Sequence, residues 1–354
     1  MTPNKIGKLT AVLGLSAMLV TGCGLFGPEK ETMSIDPPPL TQDVNLEEGT
    51  VDPNSITQGE LPVSEVQGSV DRMVYLYDSN GYVVPVSLTL PKVEGPAKQV
   101  LSYLVKGGPV ETLLPQGFKA VLPEGTKVLG MTIKDGTATV DFSPEFKKYA
   151  PAEEKKILDA ITRSLTEFKD VKHVSIWING TPLSEMPVDH TPISILNRDS
   201  GVNVELADNA VPGRTTPVTL YFQGQLNDNR SYFVPVTRLI PQTEDITTAV
   251  IEELIRGPKQ GSTLYSSFLP STKVLDVKNE NGTVVVNLSK DVMKFNNGKE
   301  ANPEAMESLV LSLTENTGVK RVQVMVEGTP LTAAGPFDFS KPVTRPVQIN
   351  SMQF

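Results

Sequence analysis

The sequence has one cysteine, one tryptophan and two histidines in 354 residues. A single cysteine forms neither an internal disulfide nor a cysteine-based metal site. His173 and His190 stand apart, with no His-Glu-x-x-His or comparable spacing, so no metal site and no cofactor is expected. Basic residues are scarce as well. Lysine and arginine number 32 against 41 acids, a formal charge of -9 with a pI near 5.0, which argues against nucleic acid as a partner. No Gly-x-Ser-x-Gly elbow, P-loop or dinucleotide fingerprint occurs. Asp189-His190 near Ser184 and Ser194 supplies the residue types of a catalytic triad, but nearness in sequence is not triad geometry. No catalytic residue is assigned, and the chain reads as a non-enzyme.

The first 23 residues carry the most specific signal. Lys5 and Lys8 form a basic start, Leu9 to Val20 is an apolar run, and Val20-Thr21-Gly22-Cys23 follows. A bilayer-crossing helix needs about 20 apolar residues, and this run is too short. The tetrapeptide resembles the bacterial lipobox, in which cleavage falls between Gly22 and Cys23 and the cysteine takes a palmitate-type lipid. Val20 stands where leucine is commoner. An ordinary signal peptide with a cysteine nearby is the competing reading. One acyl chain binds a bilayer only marginally and two anchor it stably, so a diacylglycerol on Cys23 would hold the mature protein on the outer face of the cell membrane.

Residues 23–70 read as the lipidated cysteine and a tether. Positions 24–69 hold nine acids against one base, Pro28, Pro37, Pro38, Pro39, Pro53 and Pro62, and no sustained hydrophobic period. A coil of this length spans roughly 35 to 40 Å, and its charge and proline extend it.

Beyond the tether the chain repeats itself. Residues 174–183 read Val-Ser-Ile-Trp-Ile-Asn-Gly-Thr-Pro-Leu and residues 322–331 read Val-Gln-Val-Met-Val-Glu-Gly-Thr-Pro-Leu. Each closes the same series of elements. In the first repeat these are a hairpin over Val74 to Leu90, with Tyr82, Val84, Val86, Leu88 and Leu90 on one face, and a helix from Pro96 to Lys106. A second hairpin around Asp135-Gly136, a helix from Pro151 and the closing strand complete it. In the second repeat Val218 to Phe222 and Tyr232 to Leu239 supply the hairpin, and Thr243 is the expected cap of the next helix. Asn281-Gly282 supplies the second turn, and Asn302-Pro303 opens the last helix. The fold class is α+β, a tandem repeat of two domains, each a small sheet with two helices. The expected divisions are a signal peptide at 1–22, the tether at 23–70, repeats at 71–186 and 217–335, a connector at 187–216 and a C-terminal extension at 336–354. Short strands are expected at Ile193 to Leu196, Val202 to Leu206 and Val343 to Ile349.

The lipobox, the acidic tether and two domains running from Leu-(Val/Ile)-(Lys/Arg)-Gly through Gly-Thr-x-x-Val-(Asp/Asn)-(Phe/Leu)-Ser to Gly-Thr-Pro-Leu resemble the GerMN-domain family of sporulation and germination lipoproteins of Bacillus-type spore formers. The likeness covers the whole chain. It implies a protein anchored in the mother-cell membrane, facing the forespore, and needed for germination-competent spores. The core order helix, strand, strand, helix, strand is also similar to ring-building modules, which implies extracytoplasmic membrane proteins as partners, the mother cell–forespore channel apparatus among them, and a ring as one oligomeric outcome. That second likeness is one of fold alone.

Trp177 and Met325 are the candidate interface residues. Each falls between inward-facing residues of its closing strand, so each is a large apolar side chain on the nominally polar face. Cover by the other repeat, the connector or the first hairpin is the structural explanation, and a partner is the functional one. Asp141 and Asn287 share one position, which argues against an acid/base role there. The function expected is a tethered interaction and scaffold module in an envelope complex, with two linked modules gaining effective concentration. A solute-binding lipoprotein would instead need a deep cleft between the repeats, and a cell-wall enzyme a carboxylate pair or metal cluster in a groove.

Overall fold

The computed structural model describes residues 66–114, 116–226, 230–295 and 300–351. The signal segment, Gly22, Cys23 and most of the tether lie outside the described residues. Strand β1 (Val66–Tyr77) pairs antiparallel with β2 (Val83–Lys92), so pairing begins inside the stretch assigned to the tether. Helix α1 (Pro96–Ser102), β3 (Val128–Lys134), β4 (Thr137–Phe142), α2 (Glu154–Leu165), β5 (His173–Ile178) and β6 (Thr181–Pro182) complete the first repeat. The connector adds β7 (Glu205–Leu206). The second repeat runs through β8 (Thr215–Gln225), β9 (Ser231–Pro241), α3 (Ile246–Arg256), β10 (Val274–Glu280), β11 (Thr283–Leu288), α4 (Pro303–Thr317), β12 (Arg321–Val326) and β13 (Thr329–Pro330), and β14 (Val343–Thr344) follows.

Each repeat has a sheet in the order β3-β4-β5-β6 or β10-β11-β12-β13, with β14 paired on β12. Within it the hairpin pair is antiparallel, and the pair joined through the second helix is parallel. The hairpins turn where the sequence predicts. Asp135-Gly136 and Asn281-Gly282 have positive φ at both positions, the geometry that a tight two-residue hairpin requires and that Xaa-Gly supplies cheaply. Ala138, Val140 and Phe142 of β4 and Val174, Ile176 and Ile178 of β5 are buried, as their alternation implies. Against them lie Ile157, Ile161 and Leu165 of α2, at helical spacing.

Three local expectations change. Helix α1 ends at Ser102 rather than Lys106, because the Leu104 carbonyl accepts the Val121 and Leu122 amides and the Lys106 amide donates to Leu122. The chain there joins a loop instead of closing another helical turn. Asp245, not Thr243, caps α3, its carboxylate accepting the Thr248 amide at 3.0 Å. Strand β2 is not half-buried, since Val83 to Leu88 are buried on both faces, and Phe233 to Thr237 of β9 are as well. The reason is that both hairpins lie inside the molecule: α2 packs on β1 and β2, α3 and α4 pack on β8, and β2 and β9 meet across the repeats.

Pro85 and Pro235 sit at matching places in these two strands, and neither has an amide to offer a ladder. Two asparagines bridge the strands instead. Asn203 accepts the Val83 amide and donates to the carbonyls of Val83 and Pro235, at 2.8 to 2.9 Å. Asn350 accepts the Phe233 amide and donates to the carbonyls of Phe233 and Pro85, at 2.7 to 2.8 Å. The exchange is reciprocal, so the repeats meet in the manner of the two halves of an isologous dimer. Both asparagines have φ near +50°, a conformation that asparagine tolerates better than most residues.

Candidate functional site

The ladder places Trp177 in a row with Gly130, Asp141 and Pro182, and Met325 in a row with Asp276, Asn287 and Pro330. Both are half-buried. The indole Nε1 donates to Ser175 Oγ at 3.3 Å, and Gln323, which holds the Ser175 position in the second repeat, donates to the Phe339 carbonyl. The face is therefore partly covered, and part of each large side chain stays open to solvent.

Asp141 and Asn287 have one job in common. The Asp141 carboxylate accepts the Gly180 amide at 3.0 Å, and Asn287 Oδ1 accepts the Gly328 amide at 2.9 Å. An acceptor is all that the Xaa-Gly turn after the closing strand requires, which explains how acid and amide interchange.

The structure adds two residues that sequence reasoning missed. A bulge interrupts β3 between Val128 and Gly130, and β10 between Val274 and Asp276, at the same place in each repeat. The extra residues are Leu129 and Leu275, which are 48% and 50% exposed. Bulges redirect side chains at sheet edges, and large exposed leucines at the same bulge twice make a matched apolar feature. The signal lay in the repeated Lys-Val-Leu of residues 127–129 and 273–275.

The candidate chemistry does not assemble. His190 Nδ1 lies 3.2 Å from Glu185 on the surface, and the Asp189 amide donates to Glu154, so no serine–histidine–aspartate relay forms. Among the described residues no group of three or more His, Cys, Asp or Glu side chains is placed to hold a metal. A cavity of about 680 Å³ is lined by first-repeat residues such as Tyr77, Lys106 and Phe118. Another of about 340 Å³ is lined by the connector and the second repeat around Arg238 and Glu253. Arg238 already donates from each of its three nitrogens, to Glu205, Glu253 and the Gly257 carbonyl.

The strongest electrostatic feature lies where the repeats meet. Glu315 accepts from Arg163 at 2.5 Å and from Arg198 at 3.1 Å, and the Arg345 guanidinium lies 3.1 Å away as a third ion-pair partner. Burial pushes its carboxyl up, but the three guanidinium groups outweigh burial and hold it at about 2. Glu167 accepts from Arg198 and from the Tyr75 hydroxyl. Tyr75 and Tyr221 are fully buried, and burial raises both phenols.

A protein-family model described as "Germane: Sporulation and spore germination" matches residues 73–184 and 219–332. The chain belongs to this Germane family. Its similarity to the spore germination protein GerM of Bacillus subtilis (strain 168) is 40% identity over 364 residues, 98% of this chain and 99% of that protein. The solved tandem GerMN domains of the sporulation protein GerM from Bacillus subtilis match with a TM-score of 0.75 and 42% identity, covering 81% of this chain and all of that one. The α+β tandem repeat is thus the Germane arrangement. The Germane matches end before residues 198–203 and 345–350, the segments that bridge the repeats.

Proposed function

We propose that this Germane-family chain is a non-catalytic, lipid-anchored scaffold of sporulation. It is held by acylated Cys23 on the extracytoplasmic face of the mother-cell membrane and presents two sheet faces to membrane proteins between mother cell and forespore. The channel apparatus joining the two cells is the assembly that it serves, and germination-competent spores are the late outcome. The observation that carries this reading is the matched pair of faces: Trp177 with Leu129, and Met325 with Leu275, each leaving apolar surface open at the same place in its repeat. Two such faces on one chain favour bivalent engagement, in which the second contact is made at the effective concentration that the first provides.

Crosslinking with mass spectrometry in sporulating cells tests it, comparing the native protein with Trp177→Ser and Met325→Ser variants of normal abundance and lipidation. Discrete membrane-protein partners that disappear with either substitution are expected. Capture of peptidoglycan fragments or a small molecule in their place, or unchanged partners in both variants, would sink the scaffold reading.

A further inference from the structure

Between α1 and β3 the chain carries backbone groups that the fold does not use. Lys119 forms an antiparallel bridge with Tyr77 of β1, exchanging both backbone hydrogen bonds at 2.8 and 2.9 Å. Backbone groups alternate in direction along such a pair, so the amides and carbonyls of Phe118 and Ala120 point away from β1. Phe118 is 6% exposed and Ala120 1%, yet among the described residues none of these four groups has a hydrogen-bond partner. Buried backbone groups left unpaired are rare and costly. Both residues line the cavity of about 680 Å³, together with Leu114, Lys106 and Lys119.

The row is held in place before anything binds it. The Phe118 ring packs edge-on against Tyr232 of the second repeat at 5.1 Å, and the Lys119 bridge fixes the backbone, so the four groups are preorganised. The second repeat differs at the matching place. Tyr265 exchanges backbone bonds with Gln223, the counterpart of Tyr77, and the neighbouring Leu264 amide is closed by Ser262 Oγ at 3.1 Å. Gln116 stands where Ser262 would be and makes no such bond. The charges around the cavity also leave one over. Glu153 is engaged by Lys106 at 2.8 Å and by the Ala150 amide, and Glu111 by the Gly107 amide at 2.8 Å. Lys119 is exposed and has no ion-pair partner among the described residues.

We infer that the edge formed by Phe118, Lys119 and Ala120 receives an extended peptide segment of a partner protein as an added strand, and that this segment reads small apolar, acid, small apolar. Strand addition pairs all four orphan groups through main-chain bonds, and the side chains supply the selectivity. Residues directly opposite each other in an antiparallel pair share a face. The acid therefore stands opposite Lys119 on the exposed side. Its two apolar neighbours turn inward with Phe118 and Ala120, into the cavity beside Leu114. This site goes beyond the paired sheet faces, since Trp177, Met325, Leu129 and Leu275 do not line the cavity.

The test uses the full chain and a labelled pentapeptide, acetyl-Thr-Val-Glu-Val-Thr-amide, with amide hydrogen exchange as a second readout. Saturable binding is expected, with exchange at the Phe118 and Ala120 amides slowed at least about ten-fold at saturation. Methylating the two valine nitrogens of the peptide should weaken binding about ten-fold, because two main-chain bonds are lost. The Lys119→Glu chain should reverse the preference between this peptide and acetyl-Thr-Val-Lys-Val-Thr-amide, by about two- to five-fold. No saturable binding, equal binding of the methylated peptide, or unchanged exchange at the two amides overturns the added strand. An unaltered preference in Lys119→Glu overturns the acid opposite Lys119. Amides already slowed in the free chain at every concentration would give the row to the chain's own acidic tether, and amides slowed only as the free chain is concentrated would give it to a second copy. Either result overturns a peptide partner.

Discussion

The two repeats keep one geometry and divide the chemistry unequally. In each, a serine of the second helix, Ser164 or Ser312, accepts the amide of a buried tyrosine on the first hairpin, Tyr75 or Tyr221, at 2.9 to 3.0 Å. In each, a Thr-Glu pair at the helix end receives an arginine. Yet Glu154 of the first repeat has its carboxylate filled by the amides of Val188, Asp189 and Thr191 and by the Tyr149 hydroxyl, whereas α4 opens on Asn302 as an ordinary N-cap. Arg163, a buried member of α2, reaches across to Glu315 of α4 and gives the junction three guanidinium groups against two carboxylates. Backbone-directed contacts are thus held in place by the fold, while charge is free to drift toward one side so long as the shared cluster stays paired. Glu315 is the residue on which that pairing converges.

Replacing each glutamate in turn exposes this inequality most strongly. Glu315→Leu leaves three arginines, one of them fully buried, without their common acceptor and should cost about 3 to 5 kcal/mol. Glu167→Leu, at a position about one-third exposed, should cost no more than about 1 kcal/mol. Urea unfolding of both variants measures the gap, and equal losses would mean that the repeats share the cluster evenly.

A second inequality is steric. Gly224 faces the Tyr232 ring so closely that an added Cβ would lie 2.4 Å from it. The ring is held by Phe118 and by its hydroxyl bond to Asp78, so it has little room to retreat. Gly224→Ala should lower stability by about 1 to 3 kcal/mol through overpacking, read as a fall in Tm. A neutral result would show that the Tyr232 ring relaxes freely.

Titration separates the repeats further. Burial raises the Glu154 carboxyl, but the backbone amides of Asp189 and Thr191 outweigh burial and bring it from 4.5 to about 2. A lowered folded pKa contributes stability that is present above 4.5 and lost as pH falls toward 2. Glu154→Gln should therefore destabilise the protein at neutral pH, and its Tm should converge on the native value as pH falls through that window. Parallel Tm curves would show that ionisation of Glu154 contributes nothing.

The last expected effect has the opposite sign. Burial, followed by repulsion from Glu304, raises Glu307 of the second repeat from 4.5 to about 7. A raised folded pKa favours the protonated state, so stability is full below 4.5 and declines as pH rises through 7. Glu307→Gln should raise Tm at pH 8 and leave it nearly unchanged at pH 4. A variant that is less stable at pH 8 would contradict the assignment.

Much of the fold was legible because its signals are local. Asp135-Gly136 and Asn281-Gly282 mark turns through backbone sterics, and the alternation of Val174, Ile176 and Ile178 marks a buried face. The candidate site was half legible. Trp177 and Met325 stand out as apolar residues in polar positions, but Leu129 and Leu275 do not, because an alternation pattern assumes regular pairing and a bulge breaks it. The bridging asparagines were not seen at all. Asn203 meets Val83 across 120 positions, and Asn350 meets Pro85 across 265, so nothing nearby in sequence marks them as partners. Their only trace is that Arg-x-x-x-(Val/Ile)-Asn follows each repeat.

The seam also sets a schedule. Ser87 receives its backbone partner from Ile349, 262 positions later. A chain made from its N-terminus builds the first hairpin early and holds that strand edge unpaired until residue 349 has been synthesised. Contacts so distant in sequence close late, and unpaired edges invite wrong partners in the interval. The first repeat is thus finished last, and a molecule truncated before residue 349 would reveal itself by an open strand edge that the intact protein hides.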